Sequence, residues 1–456
     1  MYSIDFFISI RLLTLLANRH FLCTFEAKFT LRMSFIEELK WRGMLHDMTP
    51  GLEERLAQGM STAYIGFDPT APSLTIGNYV QIMLLRLFQI HGHKPIFLLG
   101  GATGRIGDPS GKDKERDLKS YDELDKNLAF QQQQASKFLD FDCGDNSALF
   151  LNNHDFYKNL NVLDFLRDVG KNLTVNYMLG KESVKKRLDS GLSFTEFSYQ
   201  LLQANDFLQL YRDHDCIIQM GGSDQWGNIT SGTEFIRRNV ENGKAFALTT
   251  PLLTKADGSK FGKSEGGNIW LDAEMTSPYK FYQFWINAAD ADLPKYFRYF
   301  SFKSKEEIEG LEADHATNPN ALKKILAEEL TTHVHSEEDY NSAMKVSEIV
   351  FNHKASPESL AVMSENELSL IAEELPSVSV RKDKINSGIP LDELLTETEI
   401  LQSKGDVRRA VKNNAISINK VKIQTHDYTI NAQHLLKEKY CMIENGKKNK
   451  YMVRVI

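Results

Sequence analysis

A glycine-rich segment in the second half of the chain carries two lysines three residues apart. Lys260 and Lys263 lie in the run Lys260-Phe261-Gly262-Lys263-Ser264, and further glycines at 258, 266 and 267 make the backbone permissive. Such a loop can close on phosphate groups and stabilise the negative charge that develops in a transition state. A surface loop without a ligand has the same composition, so the segment taken alone leaves both interpretations open.

A second segment, residues 72–78, joins a predicted strand to a predicted helix. The N-terminus of a helix presents free backbone N–H groups and the positive end of the helix dipole, which together suit a phosphate. Gly77 allows a ligand to approach the backbone closely, and Thr75 and Asn78 add two side-chain donors three residues apart. Simple N-capping by Ser73 or Thr75 explains the same residues, and the segment alone does not decide between these interpretations.

A third group is a polar stripe within an otherwise apolar stretch. Tyr199, Gln203 and Asp206 are spaced i, i+4 and i+7, so on a helix they share one face. The stripe either faces solvent or forms the polar floor of a pocket. The second interpretation makes the sharper prediction, because it brings the three side chains to one ligand.

The elements that must position these groups begin with a strand–helix–strand unit. Residues 63–67 and 95–99 form short apolar runs typical of buried strands, and apolar residues at helical spacing predict a helix over 76–91. A further apolar strand over 216–220 precedes Gly221-Gly222. Because a βαβ unit implies a parallel sheet, we expect an α/β domain of the doubly wound, Rossmann-like type, which binds ligands at the carboxyl ends of its strands.

The length of 456 residues suits about three domains. Residues 33–250 are expected to form the Rossmann-like catalytic domain, and 251–277 a mobile signature loop and linker. Helical signals predict an all-helical domain over 278–378, and the polar residues 379–388 suit a linker. The remaining residues, 389–456, are expected to form a small α+β module.

Residues 1–32 fit neither a signal peptide nor a transit peptide. Asp5 precedes the apolar residues and Arg11 interrupts them, whereas a signal peptide has a basic start and one continuous apolar stretch. Met33 opens a sequence that reads as an ordinary helix start. We expect Met33 to be the working start and residues 1–32 to be an N-terminal extension that is not native.

Composition excludes several protein classes. Hydrophobic residues make up 42% and charged residues 25% of the chain, which is typical of a globular protein and not of a disordered, collagen-like or disulfide-stabilised one. No run of about 18 apolar residues is present, so no transmembrane helix is predicted. The four cysteines are scattered without a close pair, which argues against a zinc site. The same scatter favours a reducing compartment, and we expect a cytoplasmic location.

Charge is distributed unevenly along the chain. Residues 401–456 hold twelve Lys and Arg against four acidic residues, a net charge of +8, which leaves −15 for the rest. An acidic body with a basic end predicts a polyanionic partner bound at that end, although a basic surface without a partner is the alternative. Arg408, Arg409 and Lys412 lie on a predicted basic helix, where they would meet phosphates.

Taken together, the two glycine-containing segments resemble the two signatures of class I aminoacyl-tRNA synthetases. His-Ile-Gly-His and Lys-Met-Ser-Lys-Ser stand here as Thr75-Ile76-Gly77-Asn78 and Lys260-Phe261-Gly262-Lys263-Ser264. From about residue 35 to residue 456 the chain resembles the bacterial-type tyrosyl-tRNA synthetase family, and the basic module resembles an RNA-binding module shared with a ribosomal protein. The further segments that carry this resemblance are residues 64–70, 100–104, 107–112, 194–199 and 221–228.

The resemblance implies a tyrosine pocket and an ATP site. The residues that match the tyrosine pocket are Tyr64, Asp108, Tyr199, Gln203, Asp206 and Gln225. Tyr64 and Asp206 would bind the phenol hydroxyl. The residues that match the ATP site are Asp68, Gly77, Lys112, Arg116, Gly222, Asp224, Lys260 and Lys263. The catalytic set would be Thr70, Thr75, Asn78, Lys260 and Lys263, and Arg408, Arg409 and Lys412 would bind tRNA.

The resemblance also implies an activity and partners. We expect a tyrosine–tRNA ligase that uses ATP with Mg²⁺ as a substrate, has no protein-ligated metal, and acts on L-tyrosine and tRNA(Tyr). A homodimer is expected, with residues 172–194 near its interface and no membrane partner. Thr75 and Asn78 replace both signature histidines, so two alternatives stay open: a tryptophanyl-tRNA synthetase, and a catalytically idle RNA-binding protein.

Overall fold

The computed structural model describes residues 33–110, 119–188, 191–264, 267–352, 355–446 and 449–456. The chain forms two compact units. One unit holds the chain up to Thr276 together with Ala288–Lys323, and the other holds Ser277–Asn287 together with Lys324–Ile456. The N-terminal extension over 1–32 and the predicted ATP-site residues Lys112 and Arg116 lie outside the described residues.

The first unit is built on a six-stranded sheet. Its strands are β1 (Asp47–Met48), β2 (Thr62–Phe67), β3 (Lys94–Leu99), β4 (Leu149–Asn152), β5 (Cys216–Gly222) and β6 (Phe246–Thr250). Their order is β1-β6-β5-β2-β3-β4, with β2 to β6 parallel and the edge strand β1 antiparallel to β6. The predicted doubly wound parallel sheet is confirmed. Because the chain runs outward from β2 through β3 and β4 and returns to its other side with β5, a crevice opens between the carboxyl ends of β2 and β5.

The helices of the described chain are numbered here in chain order. They are α1 (Phe35–Arg42), α2 (Leu52–Leu56), α3 (Ile76–Ile90), α4 (Tyr121–Ala135), α5 (His154–Tyr157), α6 (Val162–Asp164), α7 (Val175–Leu179), α8 (Glu182–Leu188), α9 (Phe194–His214), α10 (Trp226–Asn239), α11 (Pro278–Ile286), α12 (Leu293–Phe300), α13 (Lys305–Asp314), α14 (Pro319–Val334), α15 (Glu337–Phe351), α16 (Pro357–Ala361), α17 (Glu365–Glu374), α18 (Lys382–Ser387), α19 (Leu391–Glu397) and α20 (Lys404–Lys412). None of these helices is long and apolar enough to cross a membrane.

Helices α3 and α9 carry most of the polar groups of interest. Helix α3 buries Ile76, Val80 and Leu87 at helical spacing, as the sequence pattern predicts. Helix α9 begins after Ser193, whose side chain accepts a hydrogen bond from the backbone N–H of Glu196. Its apolar face joins the core beneath the central strands, so its polar stripe is directed to the carboxyl end of the sheet.

A buried arginine holds α12 against the rest of the first unit. Arg42 is 2% exposed, and its guanidinium donates to the backbone carbonyl oxygens of Arg298 (2.7 Å), Ser301 (3.0 Å) and Lys303 (3.1 Å). It therefore satisfies carbonyls that the end of α12 would otherwise leave unpaired. Helices α12 and α13, assigned from the sequence to a helical domain over 278–378, pack in the first unit for this reason.

The second unit combines α11, most of α14 and the helices α15 to α20 with a five-stranded sheet. The strands of this sheet are β9 (Ser377–Val380), β11 (Ile416–Ile418), β12 (Val421–Lys422), β14 (Tyr440–Asn445) and β15 (Asn449–Val455). Two short antiparallel pairs lie outside the two larger sheets. In the first unit β7 (Lys263–Ser264) pairs with β8 (Gly267–Asn268), and in the second unit β10 (Ile389–Pro390) pairs with β13 (Thr429–Ile430). The order of the five-stranded sheet is β12-β11-β14-β15-β9, and β9 lies parallel to β15. The linker predicted over 379–388 is therefore corrected: it contains the end of β9 and all of α18, because Val380 and Ile385 are buried in the core of this module.

Two lysines connect the helical part of the second unit to its basic module. The Lys450 ammonium donates to the carbonyl oxygens of Ile349 (2.9 Å) and Val350 (2.8 Å) at the end of α15. The Lys420 ammonium donates to the Ile349 carbonyl oxygen at 3.5 Å and pairs with Glu444 of the module at 2.8 Å. Burial lowers the pKa of Lys450 to about 8. Because two helical carbonyls depend on Lys450, the helical part and the basic module share one packed unit.

Candidate active site

A cleft of about 940 Å³ opens at the carboxyl ends of β2 and β5. Every predicted tyrosine-pocket residue lines it, as do most of the predicted ATP and catalytic residues. The predicted residues that line the cleft are Tyr64, Asp68, Thr70, Thr75, Gly77, Asn78, Asp108, Tyr199, Gln203, Asp206, Gly222, Asp224, Gln225 and Lys260. The backbone of Lys263 lies in β7, and its side chain is outside the described atoms. Arg408, Arg409 and Lys412 lie on α20 in the second unit.

The floor of the cleft holds a buried carboxylate. Asp206 of α9 is 2% exposed, and its Oδ2 accepts a hydrogen bond from the Asn153 amide (2.9 Å), while its Oδ1 lies 2.6 Å from the Tyr157 hydroxyl. Burial raises the pKa of Asp206 to about 7, although both hydrogen bonds oppose the rise and the charge of Asp68 adds to it. The carboxylate is thus poised to change its charge near neutral pH.

A second floor group has no partner of its own. The Tyr64 hydroxyl is buried, and among the described atoms nothing hydrogen-bonds to it. Its ring packs at 5.3 Å, centroid to centroid, from that of Phe207, and burial followed by the charge of Asp206 raises the pKa of Tyr64 well above its usual value. An unpaired buried hydroxyl costs about 1–3 kcal/mol. A ligand hydroxyl that accepts from Tyr64 and donates to Asp206 would satisfy both groups.

Carboxylates also line the middle of the cleft. Asp68 accepts hydrogen bonds from the hydroxyls of Tyr199 (2.9 Å) and Thr103 (2.6 Å), and Asp108 accepts one from the Gln225 amide (2.7 Å). Burial raises the pKa of Asp108 to about 6, and Asp68 adds to that rise. Among the described residues no group of acidic, His or Cys side chains is arranged to hold a metal ion. An organic cation such as an ammonium group would relieve the repulsion between these carboxylates.

Glycine is required beside Asp68. A Cβ atom built on Gly100 would lie 2.2 Å from Asp68 Oδ1 and 3.0 Å from its Cα. No side chain fits there unless the Asp68 backbone moves. The glycine pair after β3, read from the sequence as a strand end, therefore lets this carboxylate reach the cleft.

The start of α3 bears on both interpretations of residues 72–78, which are N-capping and phosphate binding. Thr75 is the N-cap, and its hydroxyl and backbone nitrogen lie 2.8 and 3.0 Å from Asn78 Oδ1. The N-capping interpretation is therefore confirmed. The expectation of two side-chain donors needs correction, because the Thr75 hydroxyl donates to Asn78 and leaves the Asn78 amide nitrogen as the donor that can reach a ligand.

The signature loop packs directly on the start of α3. Phe261 is buried, with its ring 5.3 Å from Phe300 and 5.2 Å from Tyr296. Gly262 has a φ of +80°, and a Cβ atom there would lie 2.8 Å from Ile76 Cγ2. These contacts hold exposed Lys260 beside the helix N-terminus, where it would meet a bound phosphate.

The sequence did not indicate three polar groups at the cleft, of which Asn153 and Thr103 line it and Tyr157 lies behind Asp206. Asn153, Tyr157 and Thr103 contact Asp206 or Asp68, yet none lies at a recognisable spacing from them. One signal was available for Asn153, which directly follows β4 at the ligand-binding edge of a parallel sheet. Asn153 also accepts from the backbone N–H of Ala102 at 2.7 Å, so it links two neighbouring strand ends.

Two family models match the chain. Residues 56–352 match the model described as tRNA synthetases class I (W and Y), and residues 367–453 match the tyrosine–tRNA ligase SYY-like C-terminal domain. Both signature segments and every residue lining the cleft fall within the first match.

Curated relatives and solved structures agree with these models. The chain is 55% identical over 426 residues to a tyrosine–tRNA ligase of Cytophaga hutchinsonii, covering 92% of this chain and 99% of the relative. It is 50% identical over 431 residues to that of Flavobacterium johnsoniae, covering 93% and 100%. A C-terminally truncated mitochondrial tyrosyl-tRNA synthetase of Aspergillus nidulans superposes with a TM-score of 0.62 at 30% identity, covering 70% of this chain and 94% of the other.

The raised pKa of Asp206 predicts a pH-dependent effect on stability. Between the usual pKa of 3.8 and about 7, the folded protein holds a proton on Asp206 that the unfolded chain releases, so wild-type stability falls as the pH rises through this window. Asp206→Asn does not titrate. We expect it to raise the free energy of unfolding by on the order of 3 kcal/mol at pH 8, and by clearly less at pH 5.

Urea unfolding at the two pH values measures this difference. Asp155→Asn, which removes an exposed carboxylate from α5, serves as the control and should show no such pH dependence. An equal stability difference between Asp206→Asn and wild type at pH 5 and pH 8 would contradict the account of the buried floor.

Proposed function

This chain belongs to the tyrosine–tRNA ligase family of class I tRNA synthetases, and on that premise we propose that it activates L-tyrosine with ATP and transfers it to the terminal ribose of tRNA(Tyr). The observation that carries the choice of amino acid is the pair on the cleft floor. Tyr64 offers an unpartnered buried hydroxyl and Asp206 offers a buried acceptor. A phenol hydroxyl pairs with both groups, whereas the phenyl ring of phenylalanine leaves the Tyr64 hydroxyl unpaired and the remaining lone pairs of Asp206 unused.

The rest of the tyrosine would extend toward the middle of the cleft. Its ammonium group would lie among Asp108, Tyr199 and Gln203, where negative charge favours a cation. Gln203 Oε1 is buried without a partner among the described atoms, so it is ready to accept from the ammonium group. Gln225 would lie near the tyrosine carboxylate.

ATP would occupy the opposite end of the cleft. We assign Gly222 and Asp224 to the ribose, with Asp68 nearby, and Gly77 to a close approach of the phosphates. Lys112 and Arg116 are proposed to lie near the pyrophosphate, on the strength of the family resemblance alone. Mg²⁺ accompanies ATP as part of the substrate.

The first step joins the tyrosine carboxylate to ATP. A carboxylate oxygen attacks the α-phosphorus in line, an O–P bond forms, the bond to the bridging oxygen breaks, and pyrophosphate leaves. Because the carboxylate is already ionised, the step needs no protein nucleophile, and catalysis rests on positioning and charge stabilisation. The proposed donors are Thr70, Asn78, Lys260 and Lys263, with Thr75 orienting Asn78.

The second step transfers tyrosine to RNA. The terminal ribose hydroxyl of the tRNA attacks the carbonyl carbon of tyrosyl-adenylate and forms the ester bond. The bond from that carbon to the phosphate oxygen breaks, AMP leaves, and the hydroxyl proton passes to the departing phosphate or to solvent. The exposed basic helix α20, with Arg408, Arg409 and Lys412, would bind tRNA phosphates. A cytoplasmic location, where ATP and tRNA are available, is part of the same proposal.

ATP–pyrophosphate exchange with each of the twenty amino acids tests the proposed function. We expect exchange with tyrosine alone, because the floor pair is complementary to a phenol. Exchange with tryptophan would favour the alternative specificity within the same class. The replacement of both signature histidines favours one further candidate, an idle RNA-binding protein, and exchange with none of the amino acids would support it.

Two glycines of the signature loop give a matched test of its contact with α3. Gly262 and Gly258 both have a positive φ, of +80° and +82°, but only at Gly262 would a Cβ atom meet a neighbour, the stiff side chain of Ile76. We expect Gly262→Ala to lower kcat for tyrosine-dependent exchange by about tenfold or more, because the loop lysines shift from the phosphates. Gly258→Ala shares the backbone strain and should change kcat by less than about threefold. Equal losses in the two variants would show that the contact with α3 does not matter.

An exposed apolar surface supports the proposed homodimer. Several large apolar side chains of the first unit, at or near residues 172–194, are more than half exposed: Val162, Leu163, Val175 and Phe194. Exposed apolar side chains of this size are typical of a protein interface where they form one patch, and we propose that these do. We expect light scattering at micromolar concentration to give twice the chain mass of 52.0 kDa.

Val175→Asp should shift that mass to the monomer value, because it buries a charge in the interface. Position 175 begins α7, where Asp does not disfavour the helix. Val362→Asp, at a site in the second unit that is also more than half exposed, is the control and should leave the mass unchanged. A wild-type mass near 52 kDa would contradict the dimer.

A further inference from the structure

Tyr157 contacts the buried carboxylate of the floor from a helix that carries none of the site residues predicted from the sequence. It ends the short helix α5, which follows β4, and its hydroxyl oxygen lies 2.6 Å from Asp206 Oδ1. Its ring is held edge-on against Phe165, with centroids 6.2 Å apart and planes at 65°. The contact joins α5 to α9 at the point where the proposed phenol hydroxyl would bind.

The neighbours of the Tyr157 hydroxyl determine which way its proton points. The Asn205 amide nitrogen lies 3.3 Å away and can only donate to it, and two acceptors are in reach: Asp206 Oδ1 at 2.6 Å and the Leu202 carbonyl oxygen at 2.8 Å. One proton cannot serve both acceptors at full strength. A carboxylate is the stronger acceptor, so the proton goes to Asp206 while Asp206 is ionised. When Asp206 is protonated, the Tyr157 proton can turn to Leu202.

The two oxygens of Asp206 are thereby held in place. Oδ2 accepts from Asn153 and Oδ1 accepts from Tyr157, which uses one lone pair on each oxygen and fixes the plane of the carboxylate. The lone pairs that remain are the ones available to a ligand hydroxyl. Without Tyr157, the described contacts would leave Asp206 a single side-chain donor.

We propose that Tyr157 is a positioning residue for Asp206, which keeps that carboxylate oriented and ionised as the acceptor of the tyrosine phenol hydroxyl. It thereby contributes to the preference for tyrosine over phenylalanine. This inference rests on the proposed function and adds a specificity-determining residue to it. Tyr157 does not touch the substrate in this account and acts through Asp206.

The titratable groups around Asp206 determine in which direction the loss of Tyr157 shifts the pKa of Asp206. Tyr64 faces it from β2 and Tyr157 from α5, Tyr199 lies on the same helix, and Asp68 lies beyond the end of β2. Tyr157 stabilises the ionised form, so its loss raises the pKa of Asp206 from about 7. A protonated Asp206 donates where it should accept, and tyrosine binding then weakens as the pH falls.

Tyr157→Phe, which removes only the hydroxyl, is the test variant. We expect kcat/KM for tyrosine in ATP–pyrophosphate exchange at pH 7.5 to fall by about tenfold, chiefly through KM, with the KM for ATP unchanged. The inhibition constant of phenylalanine should stay within about twofold, because phenylalanine does not use Asp206. The pH midpoint of kcat/KM for tyrosine should rise by about one pH unit.

Tyr299→Phe is the matched control. Tyr299 is buried in the same unit and its hydroxyl donates to the Gly43 carbonyl oxygen at 2.7 Å, away from the cleft. It should lower the thermal midpoint as Tyr157→Phe does, without changing the ratio of tyrosine to phenylalanine affinity. Equal weakening of tyrosine and phenylalanine in Tyr157→Phe, or an unchanged pH midpoint, would overturn the proposal.

A readout that needs no activity separates this inference from the proposed function. In protein labelled with ¹³C at the aspartate carboxyl carbon, the Asp206 resonance is the one absent from Asp206→Asn. Its pKa should be higher in Tyr157→Phe than in wild type, and an unchanged value would refute the positioning role. Wild-type protein that fails to exchange with tyrosine refutes the proposed function instead, because the Asp206 titration still reports the contact.

Discussion

The buried carboxylate of Asp206 is the constraint on which the rest of the site depends. Keeping a charge away from water is costly unless donors surround it, and here the donors come from the chain after β4 and from α5. Tyr64 of β2 adds a hydroxyl that no described group satisfies. The floor is therefore complete only with a ligand that both donates and accepts, and the folded chain carries the cost of its incompleteness until that ligand binds.

The other end of the cleft would bind negatively charged phosphate groups, although the surrounding chain is acidic. The chain outside residues 401–456 has a net charge of −15, yet the proposed function requires it to bind a nucleoside triphosphate. The groups that we propose for the phosphates are local: the N-terminus of α3, the Asn78 amide and a lysine loop. Gly262 of this loop packs on Ile76 of the same helix, and Phe261 packs on Phe300 of α12. Arg42 supports this end indirectly, because it holds α12 and therefore Phe300 beneath the loop.

The sequence predicted the parts of this arrangement that have a period or a motif. The helical spacing of Tyr199, Gln203 and Asp206 indicated a shared face, and apolar strands with a helix between them indicated the parallel sheet. It did not predict Asn153 or Tyr157, because contacts between residues about fifty positions apart leave no local pattern. Strand β9 was divided between the predicted helical domain and the predicted linker, because four residues are too few to give a clear strand pattern, and pairing with β15 makes it a strand.

We propose above all that the Tyr64 and Asp206 pair selects tyrosine. The ratio of kcat/KM for tyrosine to that for phenylalanine in ATP–pyrophosphate exchange measures this most directly. A ratio of about 10⁵ is expected, a magnitude known for tyrosine-activating enzymes of this family rather than derived from the present geometry. The ratio should fall steeply in Asp206→Asn. A wild-type ratio below about 10², the discrimination that an apolar pocket achieves without a buried donor and acceptor, would contradict the account.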